Sequence, residues 1–135
     1  MSKTVCIIPA RSGSKRIKNK NLVNINGIPL IKYVCKNIIK SKEIDDYYVA
    51  TDSSKIYKAI GYLKKTIKLY KRSKKNSLAN SKSEDVLIEF LKKYQEYNVV
   101  VFLQITNPFI NYRDLDRAII QFLNKKYDSM LSVTK

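Results

Sequence analysis

Five short apolar runs alternate with four segments of helical periodicity along this chain, and that order constrains the fold more than any other feature. The runs are KTVCIIPA (3–10), YYVATD (47–52), IKLYKR (67–72), NVVVFLQIT (98–106) and SMLSVT (129–134). Their apolar character is continuous rather than alternating, as expected of strands covered on both faces. Between them, 29–41 places Leu30, Ile31, Val34, Cys35, Ile38 and Ile39 at helical spacing, with Pro29 suited to a first turn. A second helix is expected over 53–65, weakened at its end by Gly61, and a third over 83–97, with Ser81 and Glu84 at capping-box spacing. A fourth, 112–126, follows Asn111 as its cap.

A strand–helix order of this kind predicts one α/β domain over 1–135, with a mostly parallel sheet and helices on both faces. Ligands in such sheets sit at the carboxyl ends of the strands. Four segments therefore meet at one rim: 10–22, Asp52 to Ser54, 72–83 and 104–111. There is no internal repeat or linker, and KRSKKNSLANSKS is the least patterned stretch. A sheet ending at a fifth strand would leave an unpaired edge, which calls for a partner copy or further chain.

Composition narrows the chemistry. No apolar run approaches the roughly 20 residues of a membrane span, and MSKTVCIIPAR turns polar too early for a secretory leader, so a cytoplasmic protein is expected. Cys6 and Cys35 lie in apolar patterns and read as core thiols; no histidine and only two cysteines argue against a structural zinc site, and histidine base chemistry is excluded. The net charge of +16 resembles a nucleic-acid signature, but 22 of the 27 cations are Lys, spread over every helix as solvated faces would be. A basic nucleic-acid-binding module is therefore only an alternative.

The cluster from Arg11 to Lys20, five cations in IIPARSGSKRIKNKNL, differs because it follows a strand tip. It matches neither a dinucleotide fingerprint nor a Walker loop. Ser12, Gly13 and Ser14 are small enough for backbone N–H groups to approach an anion; Arg11 offers a planar fork, and Lys15 and Lys20 point charges. A triphosphate needs such parts, although a solvated basic loop would look the same. Asp52 is either an acid at the rim or the cap of the next helix, with residue type favouring the cap. Ser81 and Ser83 also read as caps, and Gln104 and Thr106 either face a ligand or simply precede strand termination at Asn107-Pro108.

Taken together, five stretches resemble the acylneuraminate (sialic-acid-type) cytidylyltransferase family, in order and over nearly the whole chain. IIPARSGSKRIKNKNL resembles its N-terminal motif, NINGIPLIKYV the segment after it, YYVATDSSKI its second strand and turn, VVVFLQITNPF its L-Q-x-T-S-P motif, and YDSMLSVTK the following strand. The resemblance implies a three-layer α/β/α Rossmann-like nucleotidyltransferase fold, with the C-terminal portion of the domain missing. It implies CTP with Mg²⁺, and transfer of CMP to a nine-carbon 2-keto sugar acid of sialic, legionaminic or pseudaminic type, with release of pyrophosphate. The sugar hydroxyl attacks the α-phosphate, so positioning and charge stabilisation are what the protein supplies.

On this resemblance Arg11 and Lys20 are the catalytic cations. Ala10, Arg11, Ser12, Gly13, Ser14, Lys15, Lys20, Asn21, Arg72, Ser81 and Ser83 bind nucleotide, with Asn21 near the cytosine, and Gln104 and Thr106 face the sugar. Ile105, Asn107, Ile110 and Asn80 depart from the family pattern and bear on sugar identity. Family members are usually considerably longer, and the remainder carries the paired aspartates for Mg²⁺ and a dimerising arm; a homodimer is expected, and no metal ligand is assigned here. A truncated nucleotide-binding fragment without turnover is the alternative, and a glycine-rich sugar nucleotidyltransferase is disfavoured because its LAGG-like turn is absent.

Overall fold

The first apolar run folds as strand β1 (Thr4–Pro9), whose side chains from Val5 to Ile8 are all fully buried. The structure is a computed structural model that describes residues 3–12, 20–77, 82–106 and 109–131. β1 pairs in parallel with both β4 (Asp46–Thr51) and β6 (Val99–Phe102), and β4 pairs in parallel with β5 (Ile67–Lys71), so the sheet runs β5-β4-β1-β6. All four carboxyl ends therefore lie at one rim.

The period-two alternation of each strand divides the core in two. Cys6, Ile8, Tyr47, Val49 and Ile67 face one layer, where Ile31, Val34, Cys35 and Ile38 of α1 (Leu30–Ile38), Ile56 of α2 (Ser54–Lys58) and Leu115 and Ile119 of α4 (Tyr112–Asn124) cover them. Val5, Ile7, Tyr48, Ala50 and Tyr70 face the other, under Val86 and Phe90 of α3 (Ser83–Lys93). Each fully buried Ile or Phe contributes about 1.5–3 kcal/mol. The arrangement is the three-layer α/β/α sandwich expected from the strand–helix order.

An antiparallel ribbon, β2 (Asn24–Ile25) with β3 (Ile28–Pro29), precedes α1. Its turn places Asn26 at φ 52° and Gly27 at φ 81°, the left-handed pair that a two-residue hairpin requires. Pro29 then occupies the position before α1 rather than its first turn.

Four expectations need correction. The helix expected over 53–65 is two pieces, α2 and a 3-10 turn over Gly61–Lys65, because Gly61 adopts φ 60° and ends the α-helical path. The strand expected over 98–106 stops at Phe102. Leu103 N–H still donates to the Ile7 carbonyl, but the next ladder bond would come from residue 9, and Pro9 has no N–H. The cap of α3 falls at Lys82, whose N–H donates to the Asp85 carboxylate at 3.1 Å; a lysine has no acceptor to complete the box, and Ser81 lies outside the described residues. Finally, Ser129–Leu131 form no strand and Leu131 is 87 % exposed, while 132–134 lie outside the described residues. Among the described residues no strand or layer covers that run, and an uncovered apolar run gains nothing from extension.

Candidate nucleotide-binding site

Of the residues singled out by sequence, those that are described lie about the sheet rim, and hydrogen bonds between loops show how several of them are held. Ala10 is buried and its N–H continues the ladder to the Ala50 carbonyl at 2.9 Å, so Arg11 is the first residue to leave the sheet. Asn21, buried within the 3-10 turn Lys20–Leu22, donates its amide to the Arg11 carbonyl at 2.8 Å. That bond closes the base of the loop and brings Lys20, half-buried, back to the strand tip. Gly13, Ser14 and Lys15 lie outside the described residues.

Asp52 is not the cap that residue type suggested. Ser53 takes that place, its hydroxyl accepting from Ile56 N–H at 3.3 Å, which leaves Asp52 for other work. Asp52 accepts the Ser12 N–H on Oδ1 at 2.9 Å and the Ser12 hydroxyl on Oδ2 at 2.7 Å, tying the loop after β1 to the end of β4. Burial acts to raise the Asp52 carboxyl; the two bonds from Ser12, helped by the nearby Arg72 charge, outweigh it and hold it below the ordinary aspartate value. The Ser12 N–H, expected to face an anion, is thus engaged by a side chain of the protein.

Arg72, just beyond β5, is 6 % exposed. Its backbone N–H bonds the Thr51 carbonyl, and its guanidinium donates through Nη2 to the Asn76 carbonyl at 2.6 Å, while Nε is buried without a hydrogen-bond partner among the described residues. Burial pushes the guanidinium below the usual arginine value; Asp52 and Glu89 oppose that, and the Arg11 charge adds to it. Asn76 in turn donates to Glu89 of α3 at 2.9 Å, and the Tyr70 hydroxyl donates to the other Glu89 oxygen at 2.7 Å. For Glu89, too, burial favours the neutral acid, and the bonds from Ser73, Tyr70 and Asn76 hold the carboxyl below its ordinary value.

At the far side of the rim, Leu103 and Ile105 turn into the core while Gln104 and Thr106 are exposed beyond β6. Ser83 opens α3, and Ser81 lies outside the described residues. Sequence reasoning missed Asn76 and Glu89, whose roles depend on contacts between the loop after β5 and α3. For Asp52 a signal existed: two serines after it already offered the helix a cap.

A mostly parallel α/β sandwich with the carboxyl ends of its strands at one rim defines an α/β domain of the kind that holds ligands at that rim. A family described as cytidylyltransferase matches residues 5–135, and the chain belongs to that family. Among curated relatives, N-acylneuraminate cytidylyltransferase A of Danio rerio is 33 % identical over 129 residues, covering 96 % of this chain and 30 % of that protein. Pseudaminic acid cytidylyltransferase of Campylobacter jejuni is 31 % identical over 136 residues, covering 98 % of this chain and 59 % of that one. The solved structure of CMP:2-keto-3-deoxy-manno-octonic acid synthetase complexed with CTP superposes with a TM-score of 0.76 at 27 % identity, covering 93 % of this chain and 49 % of that one. The chain thus spans between about a third and three-fifths of the curated relatives it matches.

Proposed function

We propose that this chain is the CTP-binding part of a cytidylyltransferase that joins CMP to an acidic 2-keto sugar of nine carbons. The observation that carries the reading is the basic loop after β1, closed at its base by Asn21 and tied to β4 by Asp52 at the rim where such folds hold ligands. Arg11, Lys15 and Lys20 supply charge to the triphosphate, and Arg72, Asn21, Ser81 and Ser83 form the nucleotide side. Gln104 and Thr106, exposed beyond β6, face the sugar.

In the reaction the sugar hydroxyl oxygen forms a bond to the α-phosphorus and gives up its proton to solvent, the bond from that phosphorus to the bridging oxygen breaks, and pyrophosphate leaves with the electron pair. Arg11 and Lys20 offset the charge that develops as it leaves. No side-chain nucleophile is needed, in keeping with a chain that has no histidine. Mg²⁺ is the expected cofactor. The described residues do not fit it by themselves: no three carboxylate, Cys or His groups cluster among them, and both oxygens of Asp52 are engaged by Ser12.

No helix among the described residues is long and apolar enough to cross a membrane, which accords with a cytoplasmic enzyme. A homodimer completes the proposal. A second reading is a protein that binds nucleotide without turning it over.

The test is a thermal-shift titration with CTP, UTP, ATP and GTP, with and without Mg²⁺, followed by pyrophosphate release with candidate sugar acids. Stabilisation selective for CTP is expected, rising by about 2.7 kcal/mol at one hundred times Kd. Equal response to all four nucleotides would overturn the reading, and CTP binding without pyrophosphate release would select the second one.

A further inference from the structure

Arg72 is a buried cation, and no carboxylate stands within ion-pair distance of it among the described residues. Burying a charge without a partner is costly, so what surrounds it has to compensate. The surroundings come from two directions. Asp52 directly follows Thr51, whose carbonyl accepts the Arg72 backbone N–H at 3.0 Å; its negative charge acts on the guanidinium, and it is itself fixed by two bonds from Ser12. Glu89, on α3, acts on it from the other layer and holds Asn76, whose carbonyl takes the Arg72 Nη2 proton. Tyr70 fixes the second Glu89 oxygen. Hydrogen bonds thus run from Arg72 through Asn76 to helix α3, and on the other side Arg72 N–H is bonded to the Thr51 carbonyl next to Asp52, which holds the loop after β1.

We infer that Asp52 and Glu89 are positioning residues that hold the Arg72 guanidinium at the rim, coupling its orientation to the loop after β1; the functional consequence rests on the reading that Arg72 contacts the nucleotide. Neither carboxylate touches substrate in this account. Asp52 acts through Ser12 and by charge, and Glu89 acts through Asn76. Among the described residues Arg72 Nε–H has no acceptor, so a donor remains beside the bond that Nη2 makes to Asn76. Such support by a surrounding shell is what keeps a long, flexible side chain in one productive geometry.

Two measurements on the full 135-residue chain separate this inference from the proposed function. The first is the ¹⁵N NMR signal of Arg72 Nε–H in the nucleotide-free protein, identified by its loss in Arg72→Lys. Asp52→Asn and Glu89→Gln should each shift or broaden it; an unchanged signal in both variants overturns the inference whether or not nucleotide binds. Asp52 is exposed, so Asp52→Asn keeps the test valid if Glu89→Gln does not fold. The second is CTP affinity. Each variant should weaken it about tenfold, as for a lost charge-assisted contact, and should have no further effect in an Arg72→Lys background. Equal weakening with and without Arg72 overturns the coupling. A wild-type chain that binds no nucleotide refutes the proposed function, and the NMR signal then decides the positioning alone.

Discussion

At the scale of single residues, conformation and bonding capacity decide most. Asn26 and Gly27 both have positive φ, and a methyl group at Gly27 would meet nothing within 4 Å. The cost of Gly27→Ala is therefore backbone strain alone, about 1 kcal/mol. Chemical unfolding should show the midpoint lowered with an unchanged denaturant slope. The Asn-Gly pair was passed over in reading the sequence, although few other pairs tolerate this turn. Asp52 was only half legible. An aspartate before a helix is read as a cap unless one asks which of the neighbouring residues the cap will use, and Ser53 is better placed. Pro9 shows the converse: its missing N–H was visible in the sequence, but its effect on β6 follows from which strand lies beside it.

At the scale of elements, the end of the sheet opposite the rim is secured by polar contacts between segments distant in sequence. Tyr97, in the connection between α3 and β6, donates its hydroxyl to Asp46 at the start of β4 at 2.7 Å. This bond is the main cause holding the Asp46 carboxyl below its usual value of 3.8; burial opposes it, and Lys68 and Lys3 assist. A carboxyl depressed in the folded state stabilises fully above the unfolded value, and the contribution disappears as pH falls through the folded value. Tyr97→Phe should therefore cost about 1 kcal/mol at neutral pH. That difference should narrow as the pH drops below 3.8; urea unfolding across this range checks the sign. A difference that persists unchanged in acid would mean that the hydroxyl acts through something other than Asp46.

At the scale of the whole molecule, the two cores lie on opposite faces of one four-stranded sheet, so separating its strands disrupts both. Cys6 of β1 and Cys35 of α1 are both fully buried, and burial pushes the Cys6 thiol well up and the Cys35 thiol to about 12. A thiol that is both hidden and protonated does not react. Labelling by a disulfide reagent should accordingly proceed only through global unfolding, with equal protection of the two cysteines across a urea series. Faster modification of Cys35 would show that α1 detaches from the sheet before the strands separate.

The sequence by itself determined the class of fold, because continuous apolar runs and helical stripes each permit only one kind of neighbour, and a parallel sheet covered on both sides satisfies both at once. It also identified the basic loop, Arg72, and Gln104 and Thr106 as residues near strand ends. What only the tertiary structure decided is which of these groups bear on one another. The bonds from Ser12 to Asp52, from Asn21 to Arg11, and from Asn76 to Glu89 join elements 40, 10 and 13 positions apart. The signal for such pairs lies in no window of the chain, because each is created by the order of strands in the sheet and the seat of a helix on its face.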